Sequence, residues 1–129
     1  MGSEWTWNRT VTQHNYRYLV IGSGRMATHW SAYLDMLGMR VSQWSRARDD
    51  ADALPSRLES TDMVFLAISD DSLEDFFETN LKYFTGPVYH FSGCHQSSGM
   101  RSCHPLMTFG TELYTAERYR ALTLVLEAE

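Results

Sequence analysis

The chain has 129 residues with 11 Lys and Arg against 16 Asp and Glu, a formal net charge of −5 at neutral pH. That acidic balance argues against the clustered basic surface that nucleic-acid binding requires, and no apolar run approaches the ~18 residues of a membrane span. A hydrophobic content of 43% and an aromatic content of 13% suffice for one domain with a real core. No apolar core of a signal peptide follows Met1, so Cys94 and Cys103 are expected as reduced thiols and the chain as cytoplasmic.

Residues 1–16 read as an N-terminal extension, with Met1-Gly2-Ser3 set aside as an expression scar. Two tryptophans, Trp5 and Trp7, are expected to tuck against the domain that fills residues 17–129. The first strand covers Arg17 to Ile21. From Met26 the apolar residues Met26, Trp30, Tyr33, Leu34 and Leu37 form a helical stripe, which Gly38 stops. Met39 to Trp44 is the second strand, and Ser45 to Leu58 a charged stretch with at most a short helix at Pro55.

Met63 to Ile68 is a nearly continuous apolar run, as in a parallel strand covered on both faces. Asp71, with Glu74 three residues on, is expected to cap a helix bearing Leu73, Phe76, Phe77, Leu81 and Phe84 that ends at Gly86-Pro87. Val88 to Phe91 is a further strand. A compact loop from Cys94 to Gly99 leads to Met100–His104, then a helical turn reaching Tyr119 and a last strand at Leu122–Leu126. Strands alternating with helices predict an α/β fold, a doubly wound and mostly parallel sheet in a single domain.

Between the first strand and first helix stands Gly22-x-Gly24-x-x-Ala27, a dinucleotide-binding spacing in the context that makes it meaningful. Gly22 allows the sharp turn, Gly24 lets a pyrophosphate approach the backbone, and Ala27 lets the helix pack on its strand. Ser23, Arg25 and Met26 share that turn, whose backbone N–H groups and helix dipole favour phosphate. About 20 residues on, where NAD sites usually carry an acid, stand Ser45 and Arg46, a hydroxyl and a charged fork suited to a 2′-phosphate. NADP is therefore expected as cofactor, with Arg48 assisting, while Asp49 and Asp50 slightly later keep NAD open.

Ile68, Ser69 and Asp70 end the third strand on the same sheet edge and are expected beside ribose or nicotinamide. His104 and, beside it, Ser92 are the candidate catalytic residues, with His104 as the proton donor or substrate contact. His90, Cys94, His95, Cys103 and His104 invite a metal reading. Adjacent Cys-His pairs point to opposite faces of a strand, however, and no metal is expected.

With these residues the chain resembles the N-terminal Rossmann-like NADP-binding domain of a two-domain family related to pyrroline-5-carboxylate reductase. The matching pieces are Val20–Ala27, Ser45-Arg46, Leu66–Asp71, Ser92-Gly93 and His104-Pro105-Leu106-Met107-Thr108-Phe109, of which the last is the most family-specific. The resemblance implies an NADP-binding domain of a reductase- or dehydrogenase-like protein with an unknown small-molecule substrate. It also implies a helical C-terminal domain that closes the substrate site and mediates homo-oligomerisation, beginning about where this chain stops at Glu129. Only Cys94 to Cys103 separates Ser-Gly from His-Pro here, a shorter segment than in family members. The alternative function is a non-catalytic nucleotide-binding regulatory or interaction module.

Overall fold

The computed structural model describes residues 16–126 apart from 96, 98 and 107. Trp5 and Trp7 therefore lie outside the described residues, as does Met107. Parity along the strands builds the molecule. In β1 (Arg17–Ile21), Leu19 and Ile21 face one layer and Val20 the other, and all three are at most 1% exposed. In β3 (Met63–Leu66), Val64 and Leu66 join the first layer and Phe65 the second. A strand apolar on both faces must be covered on both. Each such side chain contributes roughly 1.5–3 kcal/mol by leaving water.

The covers are the helices. α1 (Arg25–Met36) lays Ala27, Trp30 and Leu34 over Val20 and Phe65. It ends in a pair of left-over carbonyls satisfied by the following turn: Gly38 N–H bonds to Asp35 O and Met39 N–H to Leu34 O. Gly38 takes φ +80, which only glycine adopts cheaply. On the opposite face lie α2 (Leu54–Glu59), preceded by a 3₁₀ turn at Ala51–Ala53, and the segment beginning at Asp70. Leu54, Leu73, Phe76 and Leu81 pack there against Leu19, Ile21, Val64 and Leu66.

That second segment departs from expectation. It comprises a 3₁₀ turn (Asp70–Ser72), α3 (Leu73–Phe76) and a π-helical turn (Phe77–Leu81). Asp71 does not cap it, because the coil starts two residues earlier than such a cap would set, at Asp70 with Ser69 in the capping position, and no side chain caps either start. Glu74 turns instead to His95, with Nε2 to Oε1 at 3.0 Å. The apolar face is as expected, with Leu73, Phe76 and Leu81 buried.

The sheet order is β2-β1-β3-β4-β5-β6, with β2 (Arg40–Trp44), β4 (Val88–His90), β5 (Arg101–Pro105) and β6 (Leu124–Leu126). β1 to β5 run parallel, and β6 pairs antiparallel with β5, matching Cys103 to Leu126 and Pro105 to Leu124. The fold is a single-domain, doubly wound α/β sheet. Strand order reverses between β1 and β3, the place where such sheets leave a crevice at the carboxyl ends of their strands. α4 (Ala116–Arg120), capped by the Thr115 hydroxyl, packs back on α1. Among the described residues no helix is long and apolar enough to cross a membrane.

Candidate functional site

A cleft of about 710 Å³ opens at the carboxyl ends of β1, β2, β3 and β5, and all twelve candidate residues line it. Its floor is the glycine turn. Gly22 has φ +139, and a Cβ there would lie 2.1 Å from the carbonyl oxygen of Ala67. The residue is locked from both sides. Its N–H bonds to Trp44 O at 2.9 Å, and its carbonyl accepts from Gln43 Nε2 at 2.8 Å. Arg57 Nη2 in turn donates to the Gln43 carbonyl, tying α2 to this clamp.

Gly24 is the opposite case. Its φ of −81 suits any residue, and a Cβ built there meets no atom within 4 Å. The space in front of it is open cleft at the head of a helix whose first turn carries no acidic side chain. Thr28 N–H is the first to bond back, to Gly24 O at 3.0 Å, so the N–H groups ahead of it have no intrahelical acceptor. Ala27, fully buried, sits 3.4 Å from the position a Gly22 Cβ would take.

After β2 the chain folds into a tight turn. Ser45 N–H donates to Asp49 Oδ2 at 2.8 Å, while Ser45 O accepts from the Arg48 and Asp49 N–H groups. Asp50 Oδ1 accepts from Asp52 N–H, and its carbonyl accepts from the Trp44 indole. Both aspartates therefore shape the turn. Arg46 and Arg48 stand exposed on it, and Arg46 has no hydrogen bond or ion pair among the described residues. The Ser45 hydroxyl is buried, lines the cleft and has no hydrogen-bond partner. An unmade bond at such an atom costs about 1–3 kcal/mol unless a ligand supplies it.

The far wall is fastened rather than open. Ser92 Oγ donates to Asp70 Oδ2 at 3.0 Å and accepts the N–H groups of Cys94 and His95, which fills its bonding capacity. Ser92 O accepts from Ser102 Oγ at 2.6 Å. Glu74 is held below the usual carboxylate range by a hydrogen bond from Ser97 and then by His95. His104 bonds through Nδ1 to Phe91 O at 3.1 Å. A carbonyl only accepts, so Nδ1 carries the proton and Nε2 the lone pair in the neutral ring.

Phe91, Pro105 and Phe109 line the apolar part of this wall. Phe109 is held by a residue the sequence reading passed over. His29 on α1, 1% exposed, bonds through Nε2 to Gly110 O at 2.8 Å and through Nδ1 to the Tyr119 hydroxyl at 2.7 Å. Its ring lies 4.7 Å from that of Phe109 and 4.8 Å from that of Tyr114. The only sequence signal was a histidine on the packed face of an amphipathic helix. Cys103 is buried, which pushes its thiol up to about 11, and Cys94 is exposed; both are free. Among the described residues no group of three His, Cys, Asp or Glu is placed to hold a metal. The chain matches no protein-family model and no curated protein.

Proposed function

We propose that this chain is an NADP-binding, Rossmann-like domain of a reductase- or dehydrogenase-like protein, as its resemblance to the reductase-related family implies. The observation that carries the reading is a pair of glycines two residues apart with opposite demands. Gly22 is required by its own backbone, whereas nothing among the described residues requires a glycine at Gly24. A ligand close to the backbone does require one.

The residues present fit the group. The turn Gly22–Met26 would hold the pyrophosphate through backbone N–H groups, with Arg25 at its edge. The unpartnered Ser45 hydroxyl and exposed Arg46 would hold the 2′-phosphate. Asp49 and Asp50 each spend one carboxylate oxygen on their own turn and neither lines the cleft, whereas Ser45 and Arg46 do, which supports NADP over NAD. Ile68, Ser69 and Asp70 would border the middle of the dinucleotide, and His104 its reactive end. When bound, the dinucleotide would accept a hydride in oxidation and supply one in reduction. His104 Nε2 then accepts a proton from a hydroxyl or amine under oxidation, or returns it in reduction.

The filled bonding capacity of Ser92 favours a second reading, a non-catalytic nucleotide-binding module, because it leaves Ser92 no bond to offer a substrate. Calorimetric titration with NADPH and NADH side by side tests the proposal. The expected result is binding of NADPH in preference to NADH. Binding of neither would overturn it.

A further inference from the structure

The loop after β4 carries a glycine whose reason lies on the neighbouring strand β5. A Cβ at Gly93 would fall 2.9 Å from His104 Cδ2 and 3.1 Å from both Cγ and Nε2. Gly93 itself is exposed and its φ is not in the left-handed region, so backbone strain does not demand glycine there. What demands it is the His104 ring, whose Cγ, Cδ2 and Nε2 all lie close against the glycine.

We infer that Gly93 is a positioning residue for His104: it lets the ring lie flat against the loop and leaves the Nε2 lone pair uncovered, while the Phe91 carbonyl fixes the opposite nitrogen as donor. Three fasteners keep the loop in place. Ser92 Oγ gathers the N–H groups of Cys94 and His95 and reaches Asp70. Ser102 Oγ holds the Ser92 carbonyl, and Glu74 holds His95. Phe91 O and Gly93 are two residues apart, so one short stretch sets both the tautomer and the access of a side chain that β5 delivers. Ser92 thus serves the site through His104, by holding Gly93, and not by touching a substrate.

This inference rests on reading His104 as the proton-transfer group. It is nonetheless tested without cofactor, so its failure is distinct from a failure to bind NADPH. Long-range proton–nitrogen correlation spectra of the whole chain report which ring nitrogen of each histidine carries the proton. Neutral His104 is expected as the Nδ1–H tautomer, and finding Nε2–H overturns the inference with no variant needed. Carbethoxylation with diethyl pyrocarbonate, which needs an unprotonated and accessible ring nitrogen, reads the second half.

His104 of the wild type is expected to react at Nε2, while His29 and His90, at 1% and 0% exposure, stay unmodified. In Gly93→Ala the methyl group either covers Nε2 or drives the ring off its rotamer, and His104 should react about tenfold more slowly while His95 reacts as before. Wild-type reactivity of His104 in a folded Gly93→Ala protein overturns the inference. Ser92→Ala, which adds no atom beside the ring, should give a mixture of His104 tautomers. A single Nδ1–H form there would remove Ser92 from the positioning set and overturn the fastening argument.

Discussion

On the β1–β2 side of the cleft, the groups that face the opening are backbone or unpaired: the space before Gly24, the buried Ser45 hydroxyl and the exposed Arg46. On the β4–β5 side the polar side chains are bonded to one another, with Ser92 joined to Asp70, His95 to Glu74 and His104 to Phe91 O. One side is built to receive bonds, the other to hold a single ring nitrogen still. A binding surface leaves donors unsatisfied at modest cost because a ligand completes them. A positioning surface must complete its own bonds, since looseness of even an ångström in a reacting group costs rate.

The largest effects should come from the glycines. Gly22→Ala places a methyl group on the Ala67 carbonyl at a φ that non-glycine residues rarely take, and should destabilise the chain by about 4 kcal/mol or more. Gly24→Val, by contrast, should leave the melting temperature nearly unchanged and abolish NADPH binding. Thermal melts and calorimetry on the two variants check the contrast. Equal loss of stability in both would erase the distinction between the two glycines.

Arg46→Ala should weaken NADPH by roughly ten- to hundredfold, the worth of a hydrogen bond to a charged group, and leave NADH nearly untouched. The loss should shrink as salt rises, because Arg46 is exposed. Ser45→Ala should cost less, about 1 kcal/mol. Equal weakening of both dinucleotides by Arg46→Ala would move Arg46 away from the 2′-phosphate.

On the fastened side, His29→Ala leaves the Gly110 carbonyl without its imidazole partner and the Tyr119 hydroxyl with only the Tyr114 N–H, a loss of about 1–3 kcal/mol. Amide exchange at Tyr114 and Tyr119 should accelerate more than exchange in β1 and β3. Uniform acceleration would mean that His29 supports the whole fold rather than segment 109–120.

The last effect is confined to alkaline pH. Cys103, raised from 9.0 to about 11 by burial, keeps its thiol neutral in the fold, so its contribution is fully present below pH 9.0 and is lost as pH rises through about 11. Between those values the wild type should lose up to about 3 kcal/mol relative to Cys103→Ala. Iodoacetamide should label exposed Cys94 well before Cys103. Parallel alkaline melting curves of wild type and Cys103→Ala would remove the burial argument.

Much of this architecture was readable beforehand because its causes are local. The run Met63–Ile68 can be covered only on both faces, and the glycine spacing lies within one turn between a strand and a helix. What escaped depended on partners far along the chain. His29 meets Gly110 and Tyr119, 81 and 90 residues away, and no period reports that. Asp71 and Glu74 looked like a capping pair, yet a start two residues earlier and the arrival of His95 reassigned them. Ser92 was legible as a cleft residue, but its bonding was not, since that is set by the return of loop 92–95 upon its own hydroxyl.

Trp44 has a consequence of a different kind. Its indole is 3% exposed, donates to the Asp50 carbonyl, sits 6.2 Å from the Phe76 ring and forms part of the cleft lining. Trp30 lies in the other layer of the sheet, against Phe65 and Phe91. Indole emission follows the polarity around the ring. The molecule thus carries a gauge at the rim of its cleft and a reference behind the sheet, so the difference between wild type and Trp44→Phe isolates the light of one ring.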